Sequence, residues 1–90
     1  AKYSQLIALG VASQIPCNYC VYAHTTMAKM LGATDKEIQE AVTSAANTRH
    51  WSTVLNGGGV DFENFKTEWD GILAHLKKQS EAVTTKEAKE

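Results

Sequence analysis

The chain has 90 residues, a hydrophobic content of 43%, and a net charge of −1 from 9 basic and 10 acidic side chains. This balance is typical of a globular protein and excludes a disordered or fibrous chain. A chain without net positive charge has no general attraction for a polyanion, so we expect no nucleic-acid partner. No apolar run approaches the ~20 residues that cross a bilayer, and no membrane span is expected.

The short length bears on assembly and location. A domain of this size buries only about 60–65% of its unfolded surface and is often marginally stable alone, so we expect an oligomer. The apolar pattern begins almost at residue 1 with no capping residue before it, which predicts a missing upstream segment. No basic and then apolar leader is present, and a cytoplasmic location is favoured.

Two helices are predicted in the first third of the chain. Apolar residues between Tyr3 and Gln14 surround most of a helical cylinder, which indicates a helix packed on several sides. Proline suits the first turn of a helix, so a second helix is predicted to start near Pro16 and run to Leu31, where the glycine that follows would end it. Steps of three and four residues place one stripe on its surface: Cys17, Cys20, His24, Met27 and Leu31.

Two further helices follow. Thr34 and Glu37 have the spacing of a capping box, which predicts the start of a third helix. Its small apolar residues, including Ala41 and Ala45, would let a neighbouring helix approach closely, and the glycines at 57–59 would end it. Asp61 is the predicted cap of a fourth helix, whose apolar stripe comprises Phe62, Phe65, Trp69, Ile72, Leu73 and Leu76.

The predicted architecture is therefore an all-α bundle of about four helices, with a CxxC motif at the start of the second. We assign residues 1–79 to a single domain. The last eleven residues carry one large apolar side chain, Val83, and are predicted to form a polar tail at residues 80–90 that is frayed or docked on a partner.

The segment PCNYCVYAHTT, residues 16–26, contains both cysteines of the chain. A disulfide that closes so short a loop removes little chain entropy, so the pair is better suited to chemistry than to stabilisation. The free amides of a helix start favour a thiolate. His24 lies one turn after Cys20, where it could accept the thiol proton or pair with the thiolate. This arrangement indicates a redox site.

Three other interpretations compete with the redox site. The cysteines could be small buried core residues. They could also bind zinc together with His24 and either His50 or His75, but the first three ligands lie within two turns of one helix and no second CxxC is present. Covalent haem is excluded because valine, not histidine, follows the second cysteine. We expect neither a cofactor nor a bound metal.

Four segments together resemble a known family: CNYCVYAHT, the preceding QLIALGVASQIP, and the following MLGATDKEIQEAV and TRHWSTVLNG. Over roughly residues 2–66 the chain resembles the alkylhydroperoxidase D-like proteins of the carboxymuconolactone decarboxylase superfamily. The resemblance implies an all-α homo-oligomer, a trimer or hexamer. It also implies a CxxC pair that reduces hydroperoxides and is re-reduced by a dithiol partner. Carried over, Cys20 attacks the peroxide, Cys17 resolves the product, and His24 relays protons.

One position departs from that family. Its proton relay includes a glutamate twelve residues before the first cysteine, and this chain has Gln5 there. An amide can orient a histidine but cannot accept a proton, so we expect weaker proton transfer. Glu37 and Glu40 are the alternative carboxylates, and their polar neighbours predict that both lie on the surface.

Two aromatic residues are possible supporting residues. Tyr19, between the cysteines, could gate access or donate a hydrogen bond, although aromatic packing is the favoured role. His50, beside Arg49 and Trp51, is a candidate for a pocket near the cysteines or for a subunit contact. Tyr22 lies off the cysteine stripe, which favours an interface role.

These observations predict a thiol-dependent peroxidase whose partners are a hydroperoxide and a dithiol protein or small thiol as reductant. One alternative is a general dithiol–disulfide oxidoreductase with little peroxidase activity. The other is a non-enzymatic oligomeric or zinc-holding module.

Overall fold

The protein is described by a computed structural model that covers the backbone of residues 1–89 and the side chains of residues 1–83. This part of the chain contains four helices and no strand: α1 (Lys2–Gln14), α2 (Asn18–Met30), α3 (Asp35–Gly57) and α4 (Phe62–Lys89). Helices make up 86% of the structure, so the predicted all-α class with four helices is confirmed. Among the described residues, no helix is both long and apolar enough to cross a bilayer.

The chain divides into two compact units, residues 1–54 and the residues from Leu55 onward. In the first unit, one face of α1 packs against α2. The fully buried apolar residues among those described are Leu9 and Ala12 on α1 and Ala28 on α2. This core is small and consists mostly of short side chains, so the two helices can pack closely.

The opposite face of α1 contacts α3. A methyl group added at Gly10 would lie 3.7 Å from the carbonyl oxygen of Ala41 and 3.8 Å from the Cβ of Ala45. Gln14 extends this contact, because its amide nitrogen donates to the carbonyl oxygen of Ala45 at 2.6 Å. The close approach predicted from the small residues of the third helix is therefore confirmed.

Helix α2 starts shortly after Pro16, near which its start was predicted. Its first residue is Asn18, and Cys17, with an extended backbone, is the N-cap. Ile15 still has helical torsion angles and its N–H bonds to the carbonyl oxygen of Val11, so α1 continues to the residue before Pro16. The turn between the helices therefore needs Pro16 and Cys17, and Pro16 cannot occupy the first turn of α2.

The other helix ends follow the sequence signals. Gly32 has a φ of +97°, and the N–H of Ala33 bonds to the carbonyl oxygen of Ala28, which is the Schellman pattern after α2. Thr34 and Glu37 form the predicted capping box: the Glu37 N–H donates to the Thr34 hydroxyl at 3.1 Å, and the Thr34 N–H donates to the Glu37 carboxylate at 2.9 Å.

Glu37 also pairs with Lys2 across α1 and α3, at 3.0 Å. The Thr34 backbone N–H, followed by the Lys2 ammonium, lowers the pKa of the Glu37 carboxyl below 4.5, and the bond to Glu37 raises the pKa of Lys2. Solvent screens this pair, so it orients the two helix starts more than it stabilises them.

The second unit contains the end of α3 and helix α4. Gly59, with a φ of +66°, follows α3, and the N–H of Val60 bonds to the carbonyl oxygen of Leu55. Asp61 caps α4 as predicted, because its carboxylate accepts the N–H of Asn64 at 3.0 Å. Helix α4 continues to Lys89, so the backbone of residues 80–89 is helical, and the predicted polar tail at residues 80–90 stays a prediction. The single-domain boundary at residue 79 stays a prediction.

The tight core predicts the effect of one substitution. Ala28→Leu should lower the free energy of unfolding by ~1–3 kcal/mol, because Ala28 has no exposed surface and the extra atoms must displace packed neighbours. Ala23→Leu, at an exposed position of the same helix, should stay within ~0.5 kcal/mol of the parent chain. Urea unfolding monitored by circular dichroism measures both, and equal effects would contradict the assigned core.

Candidate functional site

Cys17 and Cys20 form a disulfide, with their Cα atoms 5.2 Å apart. Cys17 caps α2 and Cys20 lies in its first turn, so the CxxC motif is at the start of the second helix as predicted. Both cysteines are half-buried, which leaves part of the bridge open to solvent. An accessible bridge over so few residues is suited to reversible opening.

The backbone at the start of α2 donates a hydrogen bond to the sulfur of Cys17. The Sγ of Cys17 accepts a hydrogen bond from the backbone N–H of Cys20 at 3.2 Å. The first N–H groups of a helix have no intrahelical partner and favour negative charge beside them. When the disulfide opens, this N–H therefore favours Cys17 as a thiolate. Sequence reasoning missed the capping role of Cys17, because cysteine is not among the usual N-cap residues.

His24 lies one turn after Cys20 and is held from α1. Its Nδ1 lies 2.8 Å from the Oε1 of Gln5, and both side chains are half-buried. An amide oxygen can only accept, so Nδ1 donates its hydrogen to Gln5 and Nε2 is left with the lone pair of the neutral ring. The hydrogen bond fixes the tautomer and orientation of a base on the same helix as the disulfide.

Four of the residues singled out from the sequence form two contacts in the structure. The cysteines meet in the bridge, and Gln5 meets His24 although 19 residues separate them. The contact follows from the packing of α1 on α2, because Gln5 lies on the same face of α1 as Leu9 and Ala12.

Among the described residues, no side-chain hydrogen bond joins the other candidates to these four residues. Tyr19 is 89% exposed and Tyr22 is also exposed. The exposed ring of His50 contacts Trp51 edge to face, with 5.2 Å between ring centroids. Their predicted roles at a pocket, gate or subunit contact stay predictions. Glu40 is exposed, and Glu37 pairs with Lys2, so neither carboxylate takes the place of the missing relay glutamate.

The zinc interpretation requires the cysteines as thiolates, whereas here both sulfurs are in the disulfide. Within the described part of the chain, no three His, Cys, Asp or Glu side chains lie together as a metal site would need. His75 is on α4, in the second unit.

Residues 1–57 match the model of the carboxymuconolactone decarboxylase family. The match covers the disulfide, His24, Gln5 and the whole of α1, α2 and α3. Searches of curated proteins and of solved structures give no match to this chain. Because the family match covers more than half of the 90 residues and includes the site, the chain belongs to the carboxymuconolactone decarboxylase family.

Proposed function

We propose that this protein is a thiol-dependent oxidoreductase that reduces hydroperoxides by cycling Cys17 and Cys20 between dithiol and disulfide. The observation that carries the proposal is the Cys17–Cys20 disulfide at the start of α2, one turn before His24. Membership of a family that includes alkylhydroperoxidase D-like peroxidases supports it. That family also includes decarboxylases, and the cysteine pair resembles that of its redox branch, which supports the redox proposal.

In the first step, the thiolate of Cys20 attacks one oxygen of the hydroperoxide. The O–O bond breaks, the alkoxide takes up a proton and leaves as an alcohol, and Cys20 becomes a sulfenic acid. The thiolate of Cys17 then attacks that sulfur, an S–S bond forms, and hydroxide takes a proton and leaves as water. The Cys20 N–H that contacts the Cys17 sulfur favours the thiolate needed for this second step.

His24 supplies the proton transfers in this scheme. Its Nε2 can take the thiol proton of Cys20 and return a proton to the leaving alkoxide. Gln5 orients the ring but adds no negative charge to stabilise the imidazolium. We therefore expect the chemistry of the family at a reduced rate.

Completion of the cycle needs two electrons from a dithiol protein or from two small thiols. An incoming thiolate attacks one sulfur of the bridge and releases the other, and the better-stabilised thiolate leaves faster. The N–H contact makes Cys17 the better leaving group, so we infer attack at Cys20. A homo-oligomer, a trimer or hexamer as the resemblance implies, and a cytoplasmic location complete the proposal.

A general dithiol–disulfide oxidoreductase is the second candidate. The amide of Gln5 beside His24 favours it, because thiol–disulfide exchange depends less on proton transfer to the substrate than O–O cleavage does. A non-enzymatic module remains the third, and stoichiometric zinc with unreactive thiols in protein purified without chelators would support it.

The proposed roles of Cys20 and Cys17 predict that their serine variants react differently with peroxide. The reduced chain treated with one equivalent of tert-butyl hydroperoxide should lose two hydrogens by mass spectrometry. Cys20→Ser should consume peroxide at least about tenfold more slowly than Cys17→Ser, because His24 lies one turn after Cys20 and is proposed to take its proton. Cys17→Ser should still consume one equivalent and accumulate a sulfenic acid that dimedone traps. Trapping in Cys20→Ser instead would reverse the roles, and no peroxide consumption by the reduced parent chain would remove the peroxidase proposal.

The contact between Gln5 and His24 predicts that a carboxylate at residue 5 increases the rate of peroxide reduction. Gln5→Glu places a carboxylate on the Nδ1 side of His24, where it stabilises the imidazolium, and should raise the rate constant for peroxide consumption by about tenfold or more. Ser4→Glu, which adds the same charge at the neighbouring exposed position, is the matched control and should change little. Stopped-flow kinetics of both variants, alone and with His24→Asn, make the test. A gain that persists without the imidazole would contradict this role of His24.

The two enzymatic candidates predict different substrate preferences. Steady-state turnover of the parent chain with an excess of dithiothreitol should be faster with tert-butyl hydroperoxide than with a model disulfide such as oxidised glutathione. The reverse order would replace peroxide reduction by dithiol–disulfide exchange, while leaving the redox pair in place.

A further inference from the structure

A groove of about 830 Å³ runs between α1 and α3 in the first unit. It lies on the side of α1 opposite the face that carries Gln5, Leu9 and Ala12. Apolar or small side chains form much of its lining, among them Tyr3, Ile7, Val11, Ala41 and Ala45.

The apolar wall of this α1–α3 groove is exposed in the single chain. Tyr3 is 68%, Ile7 70% and Val11 56% exposed. Three large side chains at successive helical steps form a contiguous apolar surface, and such surfaces in a folded protein mark interaction sites. Helix-in-groove recognition is the mode that suits a trough along two helices, because an amphipathic helix fills it with side chains three and four residues apart.

Helix α4 has an exposed row of apolar side chains that could fill such a groove. We call this row the α4 stripe. It follows steps of three and four residues and comprises Phe65, Trp69, Ile72, Leu73 and Leu76. Trp69, Ile72, Leu73 and Leu76 are each 47–53% exposed, and Phe65 stacks on Trp69 with 6.0 Å between centroids.

Charges set a register between the two surfaces. The groove has Glu40 towards one end and Arg49 towards the other, nine residues apart on α3. The α4 stripe is bordered by Glu68 and Lys77, also nine residues apart, and nine residues span roughly 13.5 Å of helix. An α4 antiparallel to α3 places Lys77 at Glu40 and Glu68 at Arg49, whereas a parallel α4 would oppose like charges.

We propose that the α1–α3 groove receives α4 of a second copy of this chain, antiparallel to α3, with contacts between Glu40 and Lys77 and between Arg49 and Glu68. Each copy has one groove and one α4 stripe, so a single contact joins different surfaces of two copies. Two copies can each place α4 in the groove of the other, or several copies can form a closed ring. The proposal concerns assembly and does not depend on the redox activity. The side of α1 that faces α2 and the disulfide is not part of the contact.

Sedimentation equilibrium of the parent chain and its variants, with circular dichroism as the check of helix content, tests the assembly. Ile7→Arg in the groove and Trp69→Glu in the stripe should each raise the dissociation constant by about tenfold or more. Mixed in equal amounts, these two variants should associate again, because the intact stripe of the first enters the intact groove of the second. Failure to associate on mixing would overturn the proposal.

Charge variants test the register and do not require a change in the apolar surfaces. Glu40→Lys and Lys77→Glu should each weaken assembly, and the chain with both substitutions should recover it. Lys78→Glu is the matched control, because it makes the same change one residue further round the helix from the α4 stripe, and it should have no effect. Equal effects of Lys77→Glu and Lys78→Glu, or a parent chain that is monomeric at 100 µM, would overturn the proposal.

Discussion

The hydrogen bond from the Cys20 N–H to the Cys17 sulfur links the fold of this protein to its proposed chemistry. It lies at the start of α2, where the backbone has unpaired donors whether or not the cysteines are bonded to each other. The residues preferred at this position are serine, threonine, aspartate and asparagine, which accept the bond through a side-chain oxygen. Here the cap is the redox group itself, so opening of the bridge leaves Cys17 next to a donor that favours its thiolate.

Helix α1 has two faces with different roles: one supports the disulfide site, and the other lies away from it. One face contributes Leu9 and Ala12 to the core with α2 and holds His24 through Gln5. The opposite face approaches α3 at Gly10 and lines the α1–α3 groove. Because the two faces point in opposite directions, the proposed assembly through the groove would leave the α2 face of α1 uncovered. It can instead hold α1, and with it the orientation of the imidazole, in one position.

Features that depend on residues near one another in sequence were predictable. The Thr34–Glu37 capping box, the Asp61 cap and the CxxC pair on the second helix each need only a few neighbouring residues. The start of α2 was predicted near Pro16, and the extended backbone of Cys17 places Pro16 in the turn before the helix. Periodicity also missed Ala28, which is buried, whereas Met27 and Leu31 of the predicted stripe are 44% and 42% exposed.

Features that depend on the packing of separate helices could not be predicted from the spacing of residues in the sequence. The contact of Gln5 with His24 could be anticipated only through the resemblance to a family, since it joins α1 and α2 across 19 residues. The α1–α3 groove arises because α1 and α3 run in the same direction, from the Lys2–Glu37 pair to the Gln14–Ala45 contact, and the sequence contains no local signal for that arrangement.

The central claim is that the start of α2 activates a reversible cysteine pair. The most direct measurement is the alkylation rate of each cysteine in the reduced protein across a pH series, resolved by peptide mass spectrometry. At pH 7 the Cys17 thiol should react on the order of tenfold faster than cysteine in an unstructured peptide, and oxidation should remove the reactivity of both sulfurs. Rates equal to those of the peptide for both cysteines, with no bridge formed on oxidation, would contradict it.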